Sequence, residues 1–88
     1  MDQHPLRQQL EQLHGELTSA ATTQPDEHLA GLHAETQALL EHADQLTPAE
    51  HQSLRERLSE GLPQFEASHP RLTAAMAAVL DTLSRMGL

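Results

Sequence analysis

Leucines recur at steps of three and four through every stretch of this chain long enough to form a helix. Leu6, Leu10, Leu13 and Leu17 step four, three, four. Leu29, Leu32, Thr36, Leu39, Ala43 and Leu46 hold the same frame, Leu54, Leu58, Leu62 and Phe65 carry it on, and Leu72, Met76, Val79, Leu83 and Met86 close it. Residues so spaced share one face of an α-helix, whereas a strand would need alternation at every second position. A helix with one apolar stripe must bury that stripe against another element. The expected fold is all-α: a small antiparallel bundle of three or four amphipathic helices with heptad-like leucine seams.

Composition narrows the choice further. Sixteen leucines and twelve alanines stand against one phenylalanine and no isoleucine, tryptophan or tyrosine, which favours helices and leaves little for strands. Eighty-eight residues make one domain, 1–88. Cysteine is absent, so neither a disulfide framework nor a thiolate metal site can form. The formal net charge is −8, with five arginines and no lysine, and such a chain repels nucleic-acid phosphates and anionic membrane surfaces. No apolar run approaches a membrane span and no signal peptide opens the chain, so a cytoplasmic protein is expected. Chains below roughly 80 residues usually need help such as oligomerisation, and this one sits just above that line.

Local signals set the boundaries. Helix one is expected from about His4 to Ala20, capped by Asp2 or His4, with Pro5 in the first turn and Gly15 on the outer face. Ala21-Thr22-Thr23-Gln24 reads as a connector. Pro25-Asp26-Glu27 starts helix two, which the heptad carries to Leu46. Thr36 interrupts its leucines, and a hydroxyl bonded back to the Leu32 carbonyl would let it be buried. Thr47-Pro48-Ala49-Glu50 is a capping box and the firmest helix start in the chain. A strict heptad through Leu54 and Leu58 also places His51 and Gly61 in the seam, with Leu62 beside it to replace the missing side chain. Gly61-Leu62-Pro63 should kink or break helix three, which resumes through Phe65 to Ala67.

The last helix begins at Ser68-His69-Pro70, with either Ser68 or His69 at the cap. Ala75 and Leu80 widen its stripe, so it should touch two neighbours. Arg85 suits the negative end of the helix dipole. Gly87 and Leu88 fit a Schellman ending, with Leu88 packed on Leu83 as a true terminus. The block Phe65-Glu66-Ala67-Ser68-His69-Pro70-Arg71-Leu72-Thr73, together with Met86-Gly87-Leu88 and the opening Leu6-Arg7-Gln8-Gln9-Leu10-Glu11-Gln12-Leu13-His14, resembles a domain-of-unknown-function family of short bacterial proteins, number 4404. The resemblance implies a small helical protein of bacterial cytoplasm and no established activity. Pro63 departs from the uninterrupted helix usual before Phe65 in that family.

Two patterns raise the question of chemistry. Glu11-Gln12-Leu13-His14 and Glu66-Ala67-Ser68-His69 are Glu-x-x-His motifs, the unit that carboxylate-bridged di-metal bundles use twice. The leucine frame turns Glu11 outward and leaves His14 only flanking the seam, while His69 adjoins a proline at a helix break; surface residues are the simpler account. The chain holds seven histidines, none spaced three or four apart, so no single helix offers two to one metal. His14, His28, His33 and His42 fall beside the seam and His51 in it, and ordinary boundary histidines are again the simpler account. Protonating all seven would move the net charge from −8 to −1, which a pH-responsive regulator could use. Leu13-His14-Gly15-Glu16 echoes Leu32-His33-Ala34-Glu35, an echo that chance supplies readily in leucine-rich helices. Ser19, Ser53, Ser59, Ser68 and Ser84 are scattered with no glycine turn presenting any of them, and no glycine-rich phosphate loop exists.

The reading that follows is a non-enzymatic interaction module, with no catalytic, cofactor or metal residues assigned. It is expected to pair through a leucine seam as a homodimer or with a helix of another protein, and to bind neither nucleic acid nor membrane. The alternatives are a small metal-binding helical bundle and a pH-responsive regulatory dimer.

Overall fold

The computed structural model describes residues 5–24 and 26–86. Four α-helices follow in order: α1 (Pro5–Thr23), α2 (Glu27–Leu40), α3 (Pro48–Phe65) and α4 (Pro70–Met86), with a 3₁₀ turn at Ala43–Gln45 before α3. The leucine frame accounts for the packing. Leu10, Leu13, Leu17, Leu54, Leu58, Met76, Val79 and Leu83 are wholly buried, and Leu29, Leu32, Leu39 and Leu72 nearly so. Burying one such side chain stabilises a fold by about 1.5–3 kcal/mol, so the seams dominate the energetics.

α1 and α4 form the centre, α2 leans on α1 and α3 leans on α4, while α2 and α3 touch only lightly. α4 therefore has the two neighbours that its broad stripe requires. Cross-links fix the directions. Thr82 near the end of α4 donates its hydroxyl to Gln9 near the start of α1. Gln24, just past the end of α1, bonds His69 at the start of α4. Those two helices are antiparallel. His51 in α3 meets the Leu83 carbonyl of α4, and Gly61 lies against Met76, so α3 and α4 are antiparallel too. The Cα radius of gyration, 12.1 Å, equals that of a closed globule of this length, roughly 12 Å. The chain folds back at residues 66–69 rather than running on as one kinked rod.

Several boundaries differ from the sequence-based ones. α1 runs one turn past Ala20: Thr22 and Thr23 stay in helical geometry, with their hydroxyls bonded to the carbonyls of Thr18 and Ser19 rather than competing for main-chain N–H groups. α2 stops at Leu40, not Leu46. Bonds from the N–H of Glu41 and His42 to the carbonyls of Ala38 and Leu39 tighten the end, and His42 leaves helical angles (φ −143°, ψ 44°). Ala43 is nonetheless buried and Leu46 half-buried, so the heptad marks the apolar side beyond the helix itself. The Thr47 capping box forms as expected: Glu50 N–H to Thr47 Oγ1 at 3.1 Å, and Thr47 N–H to Glu50 Oε1 at 3.0 Å. Thr36 is buried and donates to the Leu32 carbonyl at 2.7 Å.

Pro63 does not break α3, which continues through it to Phe65. The proline stands in the last turn, and the carbonyl it deprives belongs to Ser59, an exposed residue at which solvent access lowers the cost of a lost bond. Residues 66–68 then turn, so the helix does not resume to Ala67. Leu62 does not fill the space left by Gly61. A Cβ on Gly61 would lie 2.8 Å from Cε of Met76 and 3.5 Å from the Phe65 ring, so those residues occupy it and Leu62 is half-buried at the edge. Pro70 is the first residue of α4, which puts His69 rather than Ser68 at the cap position; its carbonyl accepts the Thr73 N–H at 3.0 Å. Asp2, His4, Pro25 and the Gly87–Leu88 ending lie outside the described residues.

Candidate functional site

Histidines take part in several of the polar contacts between segments of the bundle, three of them at the rim of a leucine seam and His51 within one. His14 of α1 and His33 of α2 stack face to face, ring centroids 4.3 Å apart and planes 29° apart. Thr18, one turn after His14, donates its hydroxyl to the His14 carbonyl at 2.9 Å. Its oxygen is then free only to accept, so Nε2 of His33, at 3.0 Å, carries the hydrogen. Nε2 of His14 is buried with no hydrogen-bond partner. The sequence echo thus has a structural counterpart, because its two histidines are the ones that meet across α1 and α2.

His51 is buried in the α3 seam, as the heptad places it. Its Nε2 lies 3.2 Å from the Leu83 carbonyl, an acceptor only, so His51 donates there and ties α3 to the last turn of α4. His42 donates to Oε2 of Glu50 at 2.7 Å and draws the 3₁₀ turn onto the start of α3. The Thr47 backbone N–H first, and the His42 ring after it, hold the Glu50 carboxyl below the usual glutamate range. His28 is exposed and presents its ring to the edge of Phe65, centroids 6.3 Å apart. On the α2–α3 side, Glu35 takes an ionic contact from Arg57 Nε at 2.5 Å and a hydrogen bond from the Ser53 hydroxyl at 3.1 Å. The sequence offered no signal for that clamp: Ser53 and Arg57 stand four apart on one face of α3, but nothing in their spacing places Glu35 of α2 opposite them.

The two Glu-x-x-His motifs do not come together. Glu11 and Glu66 are exposed, His14 stacks on His33, and His69 donates to Gln24 Oε1 at 3.2 Å. Among the described residues no three histidine or acidic side chains converge on a point where they could hold a metal ion. The bonded histidines reach a threonine, a glutamate, a main-chain carbonyl and a glutamine, and each bond ties one segment of the bundle to another.

The His69-Pro70 block lines a shallow groove of about 340 Å³ between the end of α1 and the start of α4, with Glu16, Ser19, Thr23 and Arg71 on its walls. It is also the most specific part of the resemblance noted in the sequence. A family model described as a domain of unknown function, DUF4404, matches residues 6–88. The chain belongs to the DUF4404 family. The match spans all four helices, so the family is defined by the whole bundle rather than by one motif. No curated protein and no solved structure matches the chain.

Other depressions include two beside α3. One of about 500 Å³ follows α3 past His51, Gln52, Arg55, Glu56, Ser59 and Glu60. The other, about 350 Å³, lies where the end of α3 meets α4 and is lined by Leu62, Glu66, Pro70, Thr73, Ala74 and Ala77. Among the described residues no helix is long and apolar enough to cross a membrane.

Proposed function

We propose that the protein is a non-enzymatic self-association module of the cytoplasm. The supporting observation is the apolar depression beside Leu62, Pro70, Ala74 and Ala77, on a chain whose net charge of −8 otherwise favours solvation of its surface. Ala74 and Ala77 are exposed on α4, where a second helix backbone could come close. The leucine seams do not serve this role, because they are already closed within one chain. Pairing therefore uses a surface outside the core and leaves the bundle folded in either state.

Absolute mass by light scattering on a sizing column, over a range of loading concentrations, tests the proposal. Mass rising from one chain toward two with concentration is the expected result. A constant single-chain mass would remove it, and complex formation only with an added helical partner would replace self-pairing by pairing with another protein.

The His14–His33 stack favours a second reading, a pH-responsive dimer. Protonating both rings would set two like charges against each other at the α1–α2 contact. The same column run near pH 8 and again near pH 5.5 separates the two readings: a change of mass with pH supports the regulator, and an unchanged mass removes it.

A further inference from the structure

The outer face of α4 is self-complementary. Arg71, Ala74, Ala78, Asp81 and Arg85 follow one another at steps of three and four, so they line one side of the helix. Arg71, Ala74, Asp81 and Arg85 are exposed and Ala78 is half-buried, while α1 and α3 cover the other sides. Glu66 extends the line at the turn before α4 and also lines the apolar depression. Two arginines and two acids make this face neutral, on a chain of net charge −8. Two copies of such an acidic chain repel over most orientations, and a face of balanced charge with alanines at its centre is where they can approach.

We propose that a second copy of this chain docks its α4 antiparallel on α4 of the first, about a two-fold axis at the level of Met76. This rests on the self-association reading above and names its surface. A two-fold contact must satisfy both directions at once. In this register Arg71 of each copy faces Asp81 of the other, and Ala74 of each faces Ala78 of the other. Arg85 reaches the level of the opposite Glu66 turn. The alanines let the helices come close, and the opposite charges set the register. Asp81 already pairs with Arg85 at 2.6 Å within one chain, but both side chains are well exposed, and a pair of that kind is easily exchanged.

α2 shows why the choice falls on α4. Ala30, Ala34 and Ala38 line its exposed outer side at the same spacing, but Glu27 and Glu41 stand at the two ends. Two α2 helices laid antiparallel would set glutamate against glutamate at both ends, which opposes pairing. The same alanine spacing is therefore usable on one helix and blocked on the other. A contact made by one helix face is small, at or below the lower end of specific interfaces, about 1,200 Å². The dimer is accordingly weak, concentration-dependent and weakened by salt.

Sedimentation equilibrium on the full chain and three variants tests the register, with circular dichroism confirming that each stays helical. Arg71→Glu and Asp81→Arg each place like charges in the contact and should weaken dimerisation about tenfold or more. The double variant Arg71→Glu/Asp81→Arg restores both cross pairs and should recover to within about threefold of the parent. Recovery in the double variant supports the antiparallel register, since a merely local structural effect would not be rescued. A parent dimer unaffected by either single change overturns this surface while leaving self-association standing. Two weakened single variants with no rescue overturn the register. A parent chain that stays single at every concentration overturns the surface and self-association together.

Discussion

His14 and His33 lie ring against ring across the α1–α2 contact, 4.3 Å between centroids, yet only His33 has a hydrogen-bond partner for its Nε2. The pair unites an apolar contact with one uncompensated polar atom. A buried nitrogen with no partner costs a fold about 1–3 kcal/mol relative to a satisfied one. His14→Phe would keep an aromatic ring against His33 and delete that atom. The expected outcome is a gain of about 1 kcal/mol in unfolding free energy, read from urea denaturation with an unchanged slope. A loss of similar size would show that water satisfies Nε2 in solution.

Two glycines give opposite expectations. Gly15 is exposed, and a Cβ built on it meets nothing within 4 Å. Gly15→Ala should therefore stabilise α1 by about 0.5–1 kcal/mol through helix propensity alone. At Gly61 the first added carbon already meets Met76, and the two further methyl groups of Gly61→Val would press into the α3–α4 contact. Overpacking of that kind costs about 1–3 kcal/mol. Thermal unfolding of both variants beside the parent chain checks the pair, and a shift in the same direction for both would contradict the packing described.

Much of this arrangement was legible in the leucine spacing. The period fixed which side of each helix turns inward, because burial depends on side-chain direction and the helix repeat alone sets that direction. It also placed His51 and Gly61 in the seam before any neighbour was known. It could not place the end of α2, since Ala43 and Leu46 stay on the apolar side whether the backbone is helical or turning. Pro63 misled for a different reason: its cost falls on the preceding turn, at the Ser59 carbonyl, and Ser59 is exposed, which the period of leucines does not reveal for a proline. The His14–His33, Glu35–Arg57 and Gln24–His69 contacts depend on the offset between helices. Spacing within one helix carries no information about that offset.

Glu50 links local capping to pH. Its carboxyl is held below the ordinary glutamate range in the folded chain, chiefly by the Thr47 N–H and then by His42. A group lowered on folding contributes stability above its unfolded value, and that contribution is lost as pH falls through the folded value. The parent chain should therefore keep its advantage over Glu50→Gln above the unfolded glutamate value of about 4.3 and lose it as pH falls below that. Urea midpoints of the two chains at several pH values measure this. A constant difference across the range would mean that the capping box does not depend on the charge. Thr47→Ala removes the reciprocal bond and should cost about 1 kcal/mol at neutral pH.

His51 carries the most consequential single contact for the α3–α4 pairing. Its ring is buried among leucines, and its Nε2 hydrogen satisfies a carbonyl in the last helical turn of α4, where main-chain partners run out. His51→Ala removes both the volume and the bond, and a loss of about 2–4 kcal/mol is expected. In a domain of this size that corresponds to a fall in Tm of about 10 °C or more. His51→Leu keeps the volume and loses only the bond, so it should lie between the parent and His51→Ala. Hydrogen exchange gives the local readout: in His51→Leu, amides at the C-terminal end of α4 should exchange faster while those of α1 and α2 stay protected. Uniform acceleration across all four helices would show instead that the ring's packing, not its bond to Leu83, is what holds α4 in place.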